Sequence, residues 1–213
     1  MNNEAYQGKT IGLTNDLGKD GQERIEVENG RAVTIELAGH TMNRGFTSKQ
    51  DQGNVFKVSG SGTHLTVKDT VGTGIIRGGF ANGDGGGFYV VSGAKLTIES
   101  GAVCGNSASS DGGGIYVDNA ELVMTGGAVS GNYSDDNGGG IYTGSSAKIT
   151  LSGADITVNK ADNAGGGMNL HLKENATFTD CNISYNETDD TDGGGIVMNA
   201  SGKTLTLNSC KVN

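Results

Sequence analysis

Apolar and polar positions alternate in short runs along most of the chain, and from residue 96 the alternation recurs in a fixed frame. LTIESGAVCGN from 96, LVMTGGAVSGN from 122, ITLSGADITVN from 149 and ATFTDCNISYN from 176 align without gaps, and LTLNSCKVN from 205 keeps the frame. The shared pattern is apolar, any, apolar, any, any, small, any, apolar, any, any, Asn. Alternation puts the first and third positions on one face of a strand. The small position holds Gly101, Gly127, Ala154, Cys181 and Cys210, where the chain is expected to turn into its next strand. The next apolar position holds Val103, Val129, Ile156, Ile183 and Val212. Ahead of each segment stands a triple glycine, at 85–87, 112–114, 138–140, 165–167 and 193–195, separated by 27, 26, 27 and 28 residues. A short strand follows each triplet: FYVV, IYVD, IYTG, MNLHL and IVMN.

A fixed period of this length means stacked supersecondary units. Each unit offers about three strands with turns and is too short for a crossover helix between parallel strands. The pattern predicts an all-β, single-stranded parallel β-helix, a solenoid of about seven coils of 26–28 residues, with an axis of roughly 30–35 Å. Before residue 80 the frame is looser, with TIGL (10–13), AVTIELAGHTM (32–42), VFKV (55–58) and LTVKDTVGTGIIRGG (65–79) supplying strands. Residues 1–31 are expected to hold an N-terminal cap and the first strands, and residues 32–213 the repeats of one continuous domain. The endings Asn106, Asn132, Asn159 and Asn186 are expected to form an amide ladder at a turn.

Glycine is 39 of 213 residues, proline and tryptophan are absent, and the formal net charge is -9. The apolar runs can bury enough surface for order despite the glycine. The negative charge disfavours nucleic acid and anionic membrane surfaces, which are themselves polyanions. No run approaches the roughly 18 apolar residues of a spanning helix, so no membrane insertion is expected. The start, MNNEAYQGKT, lacks the pattern of an export signal, and NSCKVN stops partway through a repeat. The chain is therefore expected to be a piece of a longer protein that carries any signal or anchor elsewhere.

GHTM after an alternating strand, LTVKDTVGTGIIRGG, the GGGIYV-like blocks and the SGN or SYN endings together resemble a known family. They are similar to the right-handed parallel β-helix repeats of bacterial surface and secreted proteins, within the pectate-lyase-like superfamily and its polymorphic outer-membrane and adhesin-like relatives. The resemblance implies a right-handed coil. That fold serves lyases, hydrolases, adhesins and tailspikes alike, so function has to be sought in sites. Polygalacturonase-like members pair aspartates with Asn-Thr-Asp, Gly-His-Gly and Arg-Ile-Lys motifs. Here Asp135-Asp136 and Asp189-Asp190 occur without the other three. Pectate lyases place an Arg or Lys base beside calcium-binding aspartates, whereas Arg24, Arg31, Arg44 and Arg77 all precede the acidic turns. His40, His64 and His171 fall in different coils with no repeated partner. The expectation is a non-catalytic extracellular or cell-surface module, an adhesin or stalk that binds a glycan or host-protein ligand. A polysaccharide lyase or glycoside hydrolase domain is the alternative.

Two candidate sites follow from the repeat. Acidic residues precede the triple glycines, and stacking is expected to bring Asp111, Asp135, Asp136, Asp162, Asp190 and Asp192 into one stripe. Such a stripe could bind Ca²⁺ weakly; otherwise these are solvated turns, and no other cofactor is expected. Tyr89, Tyr116 and Tyr142 are expected to point outward in one column, either stacking on sugar faces or anchoring a protein, or else forming a self-stacked ladder. The mixed outward column of Lys95, Thr97, Glu121, Val123, Lys148 and Thr150 does not suit ice binding. Cys181 and Cys210 share the small position in adjacent coils, where they are either bonded or two buried thiols.

Overall fold

The computed structural model describes residues 7–18, 23–190 and 192–213. Its elements are strands of two to five residues, except Ile141–Ser152, which runs from the first ladder into the second, and every pairing between them is parallel. The chain winds as a solenoid of about seven turns and lays successive coils in register. One ladder carries the strands that follow the glycine triplets, as in Phe88–Val91, Ile115–Asp118 and Met168–Leu172. A second holds the next alternating strands, Lys95–Ile98, Glu121–Met124 and Ala176–Thr179 among them. A third runs through Ala102–Cys104, Ala128–Ser130, Asp155–Thr157 and Asn182–Ser184. Eight strands stack in the second ladder, from Lys9–Gly12 to Leu205–Asn208, which spans roughly 34 Å at ordinary strand spacing.

A fourth ladder was not expected. The two residues after each ladder asparagine, Ser107–Ala108, Tyr133–Ser134, Lys160–Ala161 and Glu187–Thr188, pair with one another as well. Two residues carry no alternation to read, so only the stacked coil reveals them. Within residues 1–31, Lys9–Gly12 and Ile25–Val27 already stand in register with the coils above. Residues 1–6 and 19–22 of that expected cap lie outside the described residues.

The core is a narrow column of apolar rungs. Phe88, Ile115, Ile141 and Met168 are in register and fully buried, as are Val103, Val129, Ile156 and Ile183. The glycine triplet exists because backbone meets backbone at this corner. Gly112 has φ +72°, a left-handed conformation that costs a side-chain-bearing residue free energy, and a Cβ on Gly113 would stand 2.2 Å from the Tyr133 carbonyl oxygen. At the corner between the second and third ladders the left-handed residue changes place. Gly101 and Gly127 carry it in the small position itself. In the later coils Gly153, Asp180 and Ser209 carry it one residue earlier, which leaves ordinary backbone for Ala154, Cys181 and Cys210.

The asparagine ladder forms as expected and is buried. The Asn106 side-chain amide donates to Asn132 Oδ1 at 3.0 Å, Asn132 to Asn159 at 3.0 Å and Asn159 to Asn186 at 3.0 Å. Each of these three oxygens also accepts the backbone N–H of the asparagine one coil earlier, and Asn132 Nδ2 reaches back to the Val103 carbonyl at 2.9 Å. Asn132→Ala would leave the buried Asn106 N–H unpaired and would take one partner each from the Val103 carbonyl and from the Asn106 amide, which keeps the Ile76 and Cys104 carbonyls. We expect it to lower unfolding free energy by about 2–3 kcal/mol, read as a shifted urea midpoint; an unchanged midpoint would remove the ladder from the account of stability.

Candidate functional site

The outward face of the first ladder carries the tyrosines. Alternation that buries Phe88, Ile115 and Ile141 turns Tyr89, Tyr116 and Tyr142 outward, and pairing sets them in one half-buried column. Their ring centroids are 5.4 Å apart at each step, with interplanar angles of 14° and 2°. Rings stacked in this way cover each other's faces. The His171 ring leans on Tyr142 at 5.4 Å and 44°, and Lys57 occupies the position below Tyr89. The column therefore offers solvent a row of ring edges and phenol hydroxyls, and the free ring faces needed for sugar stacking are missing between Tyr89 and Tyr142. Asn169 is the residue paired with Tyr142, so strict alignment carries no aromatic residue into the next coil. His171 lies two positions further along the same face, and period-two alternation was the signal that could have found it.

Carboxylates frame this row. Burial raises the Tyr89 phenol above its usual range, and Asp84 and Asp118 add to it. Tyr116 is raised well above it by the same causes in the same order. Tyr142 is pushed up to about 12, first by burial and then by Asp111, Asp84, Asp118 and Asp136. The strip thus keeps three protonated hydroxyl donors beside a set of acceptors.

The acidic turns do not form the single expected stripe. Asp84 and Asp111 share a column with Asn137, Ala164 and Asp192. Asp136 stands beneath Asn163, and Asp135, Asp162 and Asp189 make a third column. The reason is position relative to the triplet: Asp84 and Asp111 touch the first glycine, while Asp135 and Asp162 stand three residues before it. Thr191 adds a residue before Asp192 and lies outside the described residues. Most of these carboxylates are bonded to neighbours. Asp111 Oδ1 accepts the Asn137 N–H at 3.1 Å and the Asn137 side-chain amide at 3.0 Å. Asp136 accepts from the Asn137 and Asn163 amides, Asp135 pairs with Lys49, and Asp162 accepts the Tyr133 hydroxyl at 2.7 Å. At Asp190 the backbone carbonyl accepts the Thr188 hydroxyl at 2.9 Å. Among the described residues no group of three or more His, Cys, Asp or Glu is placed to hold a metal ion.

Two arginines and two histidines are engaged away from these acids. Arg24 donates to Asn54 Oδ1 at 3.0 Å and Arg44 to the Asn54 carbonyl at 2.6 Å. His40 lies 3.4 Å from Asp16, and His64 lies 2.9 Å from the Thr97 hydroxyl. A shallow groove of about 550 Å³ follows the corner beside the third ladder. Gly74, Gly101, Ala102, Gly127 and Ala128 line it, and Asp155 is its single titratable group.

In a comparison with protein-family models, residues 63–213 match the one described as the right handed beta helix region. Comparisons with curated proteins and with solved structures give no match.

One carboxylate of the frame generates a pH prediction. Burial is the largest cause that pushes Asp111 up to about 6; the Asn137 side-chain hydrogen bond opposes it, while Asp136 and Asp84 add to it. The folded chain thus holds this proton more tightly than the unfolded chain, whose carboxyl titrates near 4. The resulting stability is fully present below about pH 4 and is lost as pH rises through 6. Asp111→Asn is expected to be more stable than the parent at pH 7.5, by on the order of 1 kcal/mol after solvent screening. The advantage should vanish near pH 4 in melting curves; a variant equally stable with the parent at both pH values would contradict this.

Proposed function

The chain belongs to the right-handed β-helix family, and from that premise we propose that it is a rigid, non-catalytic module of a bacterial surface or secreted protein. In this reading it works outside the cell as a stalk or adhesin, and the tyrosine strip docks a glycan or host-protein ligand. The observation that carries the reading is the in-register column of Tyr89, Tyr116 and Tyr142 with carboxylates beside it. A row of hydroxyl donors, one per coil, with the carboxylates of Asp84, Asp111, Asp118 and Asp136 nearby, suits a ligand that repeats its own hydroxyl groups along the axis. Because the rings stack on one another, the self-stacked ladder that was the other expectation, contact in this reading is made through ring edges and hydroxyls. Rigidity supports the stalk role: backbone ladders, an amide ladder and an apolar column all run in one direction.

The alternative of a lyase or hydrolase draws no support from side-chain geometry. Acid–base cleavage of a glycosidic bond needs two titratable groups facing one bond. The carboxylates of Asp111 and Asp136 point at asparagine amides, that of Asp135 at Lys49 and that of Asp162 at the Tyr133 phenol.

Phenylalanine at all three positions separates edge binding from mere stacking. Tyr89→Phe, Tyr116→Phe and Tyr142→Phe together keep the rings and remove the hydroxyls, so the melting temperature should stay within about 3 °C of the parent. Binding to any glycan captured on an array should fall about tenfold or more, since each hydroxyl contributes on the order of 1 kcal/mol. Full binding by this triple variant would overturn the strip as the site. Release of reducing sugar from acidic polysaccharides would overturn the non-catalytic reading.

A further inference from the structure

We infer that Cys181 and Cys210 are a site of oxidative cross-linking that fastens the last coil to the one before it. Register places them opposite each other. Thr179 pairs with Asn208 and Asn182 with Lys211, so the two residues between each pair align, and Cys181 meets Cys210. Both follow a residue in the left-handed conformation, Asp180 at φ +53° and Ser209 at φ +52°, and therefore share one corner geometry. Both thiols donate to the carbonyl two residues back, Cys181 to Thr179 at 3.3 Å and Cys210 to Asn208 at 3.4 Å, so the sulfurs point the same way. Cys210 Sγ accepts the Cys181 N–H at 3.4 Å, which puts it between the two coils. Cα atoms one strand spacing apart, roughly 5 Å, fall inside the range a disulfide spans. The thiols are free in this structure.

Exposure orders the chemistry. Cys210 is partly exposed and Cys181 buried, so a small-molecule disulfide such as oxidised glutathione reaches Cys210 first. The Cys210 thiolate attacks one sulfur of the reagent, forms a mixed disulfide and expels one glutathione thiolate. The Cys181 thiolate then attacks Cys210 Sγ, forms the intramolecular bond and expels the second. Two electrons pass from the protein thiols to the reagent, and two protons are released. Burial raises the Cys181 thiol above its usual range, so ring closure should quicken as pH rises. In this coil Leu207 is 41% and Val212 45% exposed, and a covalent tie restricts its local opening.

The test is to incubate the full chain with oxidised glutathione, alkylate the remaining thiols and map peptides by mass spectrometry, with hydrogen exchange as a second readout. The expected result is a monomeric chain with a peptide linked through Cys181 and Cys210, Cys104 still alkylated, and amide exchange across 205–212 slowed about tenfold. Cys104→Ser should keep the link, and Cys210→Ser should abolish both link and slowing. Cys181→Ala should do the same; Ala154 already fills the equivalent buried position, so the variant is expected to fold. Glutathione adducts without ring closure, links through Cys104 or links only between chains would overturn the inference. None of these outcomes depends on whether the tyrosine strip binds a ligand.

Discussion

Parallel backbone hydrogen bonding between successive coils is the interaction on which the rest of the structure depends. It fixes the axial spacing at one strand width and forces residues one repeat apart to stand above each other. Every side chain thereby meets its own equivalent. Amides meet amides at Asn106, Asn132, Asn159 and Asn186, apolar residues meet apolar residues in the core, and phenols meet phenols at Tyr89, Tyr116 and Tyr142. Like charges would meet too, and the outward column of the second ladder avoids this by alternating. Lys95 faces Glu121 at 3.0 Å, Glu121 pairs in register with Lys148, and Lys148 reaches Glu174 beside the column at 3.1 Å. Where like charges stay close, at Asp84, Asp111 and Asp136, they add to the burial that shifts the Asp111 carboxyl upward.

This constraint explains what was legible in the sequence. Inward residues, the amide ladder and the tyrosine column all repeat in both identity and position, and a repeat period translates directly into contact. Less was legible where the period and the chemistry part company. The acidic residues repeat in kind but sit at different distances from the glycine triplet, so one apparent stripe becomes three columns. His171 joins the aromatic column from a neighbouring position on the same face, where strict alignment shows Asn169. The two-residue ladder is too short to carry a pattern. Ring orientation was likewise beyond the pattern: alternation gives the side of the sheet, while only the stacking angle tells that the faces are covered.

The same geometry links fold to the proposed function. A solenoid that stacks identical groups produces linear arrays, and linear arrays suit extended ligands or long rigid spacers better than they suit a reaction centre, which needs unlike groups converging on one bond. The tyrosine strip is such an array, with Asp84, Asp111, Asp118 and Asp136 close by. Its pitch, its protonated hydroxyls and its covered ring faces all derive from coil register.

Register across the strip is therefore the quantity to measure. Lys57 and Val197 bracket the column and stand five in-register steps apart, through Tyr89, Tyr116, Tyr142 and Asn169. Spin labels at these two positions, with the native cysteines replaced, should report by double electron–electron resonance a single narrow distribution centred at about 24 Å, widened by the label linkers. A broad distribution, or one centred beyond about 35 Å, would contradict the in-register solenoid and the tyrosine strip built on it.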